Sequence, residues 1–179
     1  MLFDVSIELA SQCEVLTSVA SSQASLQKLD MAIQELKPDN RPCTHHTLTL
    51  DWSSDSFAKT LAQHVQTIGF PSLVLVWVHK DALIPEIALA IANNSAICSF
   101  YHVRGSAAAN PESEQRNLLY GYEVPESLHY HQVILGFHVK DGESRWLTNS
   151  EISDGISLAV QNSKHMSIVG TVRPWSLRP

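Results

Sequence analysis

Nine histidines, three cysteines, four tyrosines and a serine placed after a glycine are the residues of this 179-residue chain best suited to chemistry. A zinc centre needs ligands at short, regular spacings such as HExxH. Here His45 and His46, His79, His102, His129, His131, His138 and His165 stand mostly within or beside apolar, strand-like stretches, where neighbours point to opposite faces. No metal site is expected. His79 and His102 are kept as candidates for proton transfer, because each lies near the carboxyl end of a strand expected at the centre of a sheet. Ser106, directly after Gly105, is a candidate hydroxyl, with an ordinary turn residue as the alternative reading. Cys13, Cys43 and Cys98 are odd in number, far apart in sequence and without a CxxC pair, so free thiols are expected.

Composition narrows the class of function. With 44% hydrophobic and 17% charged residues the chain is expected to fold as a single domain spanning residues 1–179. A net charge of −6, with 12 scattered Lys and Arg, offers no basic stripe for nucleic acid. No apolar run reaches the roughly 20 residues of a membrane helix, and Asp4 and Glu8 stand where a signal peptide would be basic. The expected location is cytoplasmic.

The elements that must position these groups follow from periodicity and breakers. Residues 1–12 read as an amphipathic helix and 13–20 as a strand. Ser21 or Ser22 caps a helix carrying Leu26, Leu29, Ile33 and Leu36, which residues 37–40 stop. Residues 44–52 alternate as a strand with Asp51 at its end. Ser54 or Asp55 caps a helix through Ile68, ended by Gly69. The apolar run 72–78 reads as a central strand buried on both faces. A helix over 82–92, a strand over 97–103, a strand over 131–139, a turn at Asp141-Gly142, a helix from Thr148 or Asn149 to Gln161 and a strand over 167–172 complete the order. Alternation of this kind predicts an α/β fold: three layers, with a mostly parallel sheet and helices on both faces.

The order of elements, Leu48-Thr49-Leu50-Asp51, the segment from Phe100 through Arg104-Gly105-Ser106 to Ala108, Gln132 to Phe137 and Ser144 to Thr148 together resemble a divergent short-chain dehydrogenase/reductase. The likeness spans essentially the whole chain. It implies a Rossmann-like domain and an NAD(P)-dependent oxidoreductase, with NAD or NADP as cofactor. Ligands in such sheets lie beyond the carboxyl ends of the strands. By resemblance Asp51 faces the adenine, Ser18 and the residues after Val19 meet the ribose, and Val78 and His79 border the nicotinamide side. Asp51 can equally be a carboxylate favoured by a nearby helix start. No acidic residue or Arg at 18–22 chooses between NAD and NADP.

Two family features are missing. The glycine-rich turn that lets backbone approach a pyrophosphate is absent, and Met1-Leu2-Phe3 resembles the residues just past its last glycine. This implies a domain shortened at its front, without the first strand; the alternative is a fold that never had the loop. The family also pairs a Tyr with a Lys one helical turn later. Here Tyr101, Tyr120, Tyr122 and Tyr130 are followed four residues on by Gly105, Val124, Glu126 and Ile134. Ser106 matches the substrate-orienting serine. Two function classes remain: a nucleotide-binding, oxidoreductase-like protein with a degenerate cofactor loop, and a non-catalytic Rossmann-like interaction or regulatory domain. Removal of a central strand would leave the backbone groups of its neighbours unpaired, so either those neighbours pair directly or self-association as a homo-oligomer is expected.

Overall fold

The computed structural model describes residues 2–36, 43–93, 96–110 and 124–179. Its first element is a helix, α1 (Phe3–Ala10), followed by β1 (Val15–Ala20), α2 (Gln23–Glu35), β2 (Thr44–Thr49), α3 (Phe57–Ile68) and β3 (Leu73–Val76). Then come a 3-10 turn (Asp81–Leu83), α4 (Ile84–Ile91), β4 (Cys98–Gly105) and a second 3-10 turn (Ser106–Ala109). The carboxyl half holds β5 (Leu128–Leu135), β6 (Phe137–Lys140), β7 (Glu143–Trp146), α5 (Asn149–Asn162) and β8 (Met166–Val169).

Every pairing among β1 to β5 and β8 is parallel. The parallel strands nevertheless form two sheets, β1-β2 and β3-β4-β5-β8. Direct pairing of β1 with β3 is therefore not how their outer edges are resolved. What unites the sheets is helix packing. Val5 of α1 lies in a cluster with Tyr101, Val103, Val133 and Ile156, while Ala10 at the other end of α1 joins Leu29, Ile33 and Leu16. On the opposite face Phe57, Leu61 and Val65 of α3 share a core with α4, Phe100 and Val76, and with the half-buried Leu48 and Leu50. Ser157 of α5 also donates a hydrogen bond to the Glu8 carboxylate of α1.

Local sequence explains most boundaries. Ser22 caps α2 by accepting from the Ser25 amide, and Thr148 and Glu151 cap α5 reciprocally as a capping box. Pro85 sits in the first turn of α4 and Gly69, at φ 121°, closes α3. The expected cap of α3 shifts: Ser56 is its N-cap residue without a side-chain bond, because the Ser54 hydroxyl engages Ser56 in the turn before it. The expected stop at residues 37–40 lies outside the described residues, as do Tyr120 and Tyr122.

Two strands depart from expectation. Residues 72–78 contract to β3, which among the described residues pairs with β4 alone and buries only Val76, so the most apolar run is an edge strand of its sheet. Residues 131–139 divide at Gly136 into β5 and β6. The Gly136 amide bonds to Val169 O while Phe137 exchanges both backbone bonds with Thr171. The chain then leaves the parallel sheet for an antiparallel hairpin, β6-β7, whose two-residue turn has Asp141 at φ 54° and Gly142 at φ 83°. A Cβ at Gly136 would stand 2.1 Å from Thr171 O, a backbone atom that cannot rotate away. Gly136→Ala should therefore lower stability by about 2 kcal/mol or more in urea unfolding, whereas Gly105→Ala, with open space around its Cβ position, should cost far less.

Candidate functional site

The carboxyl half of β4 concentrates the polar side chains of the core. Alternation sends Tyr101 and Val103 to the face covered by α1 and α5, and Cys98, Phe100, His102 and Arg104 to the face covered by α4. Ser106 follows as the first residue of the 3-10 turn after β4. His102 is fully buried, with Arg104 and Ser106 nearly so. Asp81, at the start of the 3-10 turn after β3, reaches over this row. Its carboxylate accepts from Arg104 Nη2 at 2.7 Å and lies 3.7 Å from His102 Nε2. On the other side the Tyr130 hydroxyl of β5 is 2.7 Å from His102 Nδ1. Ser106 Oγ accepts from Arg178 Nε at 2.8 Å, and that guanidinium stacks 5.0 Å from the Trp146 ring and 5.4 Å from the Trp175 ring.

Charge placement decides what this row can do. Burial pushes His102 down to about 4, against the pull of Asp81 and with Arg104 adding to the depression. At neutral pH His102 is a neutral imidazole beside a phenol, and Arg104-Asp81 is a buried-to-surface ion pair. The row is an internal hydrogen-bonded network, not an open acid-base pair.

The structure places His102 within β4 and Ser106 just past its end, and sets Arg104, Asp81 and Tyr130 around His102. It does not do the same for His79, which is exposed between β3 and the following turn. Val78 packs half-buried against the α3-α4 core. Asp51 is exposed just past β2, where its carboxylate accepts from the Ser53 amide and hydroxyl, both at 2.8 Å. Those bonds lower its pKa, the amide first. Ser18 in β1 points at His45 Nε2 at 3.0 Å, and His45 Nδ1 lies 2.8 Å from Asp30 of α2. This Ser-His-Asp chain ties α2 to the two-stranded sheet. On the opposite face of β1, Thr17 meets His64 of α3 at 3.0 Å. Trp77 is half-buried against the α1-α5 core, while the exposed Trp146 carries Arg178. The parity of 102 and 104 was the available signal for Arg104; Asp81 and Arg178 carried none, since both arrive from other segments.

A nicotinamide dinucleotide can be tested against these groups. At the amino end of α1 the N-cap residue is Leu2, which supplies no side-chain cap, and the described glycines give no glycine-rich turn there. Of the residues marked for a dinucleotide, Asp51 is an exposed carboxylate just past a strand end, and no glycine-rich turn occurs among the described residues. No group of three or more His, Cys, Asp or Glu able to hold a metal occurs among the described residues.

His102 has a folded pKa below its unfolded value near 6.5. The unfolded state therefore binds the proton first, and the associated stability is complete above pH 6.5 and lost as pH falls from 6.5 towards 4. Urea unfolding of the wild type should lose about 1 kcal/mol per pH unit through that window; His102→Gln should flatten the profile there.

No family model matches the sequence, and no curated protein matches it. Solved structures do. An alcohol dehydrogenase specific for bulky-bulky ketones, from Comamonas testosteroni, superposes with a TM-score of 0.64 at 13% identity, over 95% of this chain and 82% of that one. A short-chain dehydrogenase from Sphingobium yanoikuyae, in complex with NADPH, gives 0.63 at 12% identity, over 96% and 85%. At such low identity the likeness establishes architecture: this chain has a divergent short-chain-dehydrogenase-like, Rossmann-type α/β fold.

Proposed function

We propose that this chain is an oxidoreductase-like nucleotide-binding protein whose ligand class is NAD or NADP, held weakly at the strand ends and not turned over by Tyr-Lys chemistry. The supporting observation is the exposed position of Asp51 past the end of β2, in a segment whose Leu48 and Leu50 share a core with Val78, next to His79. The bound neighbour in the NADPH complex makes the same ligand class reasonable. In this reading binding rests on the adenosine side and on the rim near Ser18, Val78 and His79.

The second reading is a non-catalytic interaction or regulatory domain. It is favoured by the internal use of His102, Arg104 and Ser106, each engaged by Asp81, Tyr130 or Arg178. Titration of NADH and NADPH against tryptophan fluorescence distinguishes the two. Saturable quenching with a Kd on the order of 1 mM, weakened by Asp51→Ala, is expected; traces that stay flat past that concentration support the interaction domain instead.

Self-association is part of the proposal. Among the described residues β1 pairs with β2 only and β3 with β4 only, and Val15 and Val19 on β1 are exposed. Open apolar strand edges recruit further strands. Sedimentation velocity at micromolar concentration should show a species heavier than the 19.8 kDa chain, and a compact monomer would end this part of the proposal. No helix among the described residues is long and apolar enough to cross a membrane.

A further inference from the structure

Cys13 and Cys43 are 30 residues apart in sequence, yet their sulfurs stand 3.7 Å apart. The parallel register is the cause. Val15 pairs with Thr44, and the Thr44 amide donates to Glu14 O at 2.8 Å, which sets the two cysteines diagonally across the entrance to β1 and β2. Both are half-buried, and Cys43 packs on the cluster of Ala10, Leu29 and Ile33 that joins α1 to α2. A disulfide requires about 2.0 Å between sulfurs, a closure within the range of side-chain rotation at neighbouring parallel positions.

We propose that Cys13 and Cys43 form a redox pair that closes into a disulfide stapling the amino ends of β1 and β2. The oxidant is a low-molecular-weight disulfide of the glutathione class. One protein thiol, as thiolate, attacks that disulfide, forms a mixed disulfide and releases one glutathione. The second thiol loses its proton and attacks the protein sulfur of the mixed bond, expelling the second glutathione. Two protein S–H bonds and one external S–S bond are lost; one protein S–S bond and two external S–H bonds are gained. Burial, with Cys43 alongside, pushes the Cys13 thiol up to about 11, so Cys13 rests as a thiol until an oxidant is supplied.

The location gives the bond a purpose. A two-stranded sheet is the least stable sheet unit, and β1-β2 is held to the rest by helices, not by a shared ladder. A cross-link there constrains the unfolded chain across a 30-residue separation. It also lies at the end of the strands opposite Ala20 and Asp51, so it leaves that rim untouched.

Cys98 supplies an internal control, being buried at the start of β4 with its thiol raised to about 11 by burial. The purified protein, incubated with oxidised glutathione, should lose the mass of two hydrogens, and peptide mapping without reductant should join the Cys13 peptide to the Cys43 peptide. The melting temperature should rise by roughly 5–15 °C, reversibly with dithiothreitol. Cys13→Ser or Cys43→Ser should abolish the rise, and Cys98→Ser should retain it. Persistent glutathione adducts on Cys13 or Cys43, a bond that involves Cys98, a bond between two copies, or a cross-link without a thermal shift would each overturn the proposal. The wild-type mass map decides the pairing even if a serine variant fails to fold.

Discussion

A strand covered on both faces can carry a polar side chain only where another polar group meets it, because an unpaired buried donor or acceptor costs about 1–3 kcal/mol. β4 is such a strand. Its apolar first half, Cys98 and Phe100, is followed by His102 and Arg104 on the same face. The Asp81 carboxylate and the Tyr130 hydroxyl are what make that arrangement tolerable. They also fix the turn after β3 and the alignment of β5 against β4. The strand end that in similar folds faces a ligand is here tied into the packing of its own neighbours.

The second constraint is the division of the parallel strands. Backbone ladders hold β3, β4, β5 and β8 together and hold β1 to β2, but cohesion between the sheets comes from side chains. α1 contributes Val5 to one cluster and Ala10 to another, and α3 covers residues from both sheets. Apolar burial is non-directional and tolerates a missing ladder, whereas backbone groups at the outer edges of β1 and β3 still call for partners. This asymmetry links the exposed valines of β1, the half-buried apolar run of β3 and the expectation of self-association. It also explains why a staple between β1 and β2 would fall where backbone pairing is narrowest.

A likeness to dehydrogenases at 12–13% identity is carried by layer order and strand connectivity. Chemistry depends on a few side chains, which a likeness in fold does not carry over. Arg178, reaching Ser106 from the carboxyl tail between two tryptophans, occupies the hydroxyl that the resemblance marks for substrate. Asp51, marked for adenine, remains exposed although it also caps its own turn through Ser53.

Much of the architecture was legible in the residues alone. The leading helix, caps at Ser21 or Ser22 and at Thr148 or Asn149, the stop at Gly69, the Asp141-Gly142 turn and the helix-strand alternation all follow from local rules, because capping, glycine conformation and hydrophobic period act within a few residues. Tertiary structure decided the rest: that β3 lies at an edge, that Gly136 bends a strand against Thr171, that Asp81 and Arg178 come to His102, Arg104 and Ser106, and that Cys13 meets Cys43. Each of these joins segments distant in the chain, and strand register and side-chain packing, which set such meetings, are properties of the folded whole that no local pattern encodes.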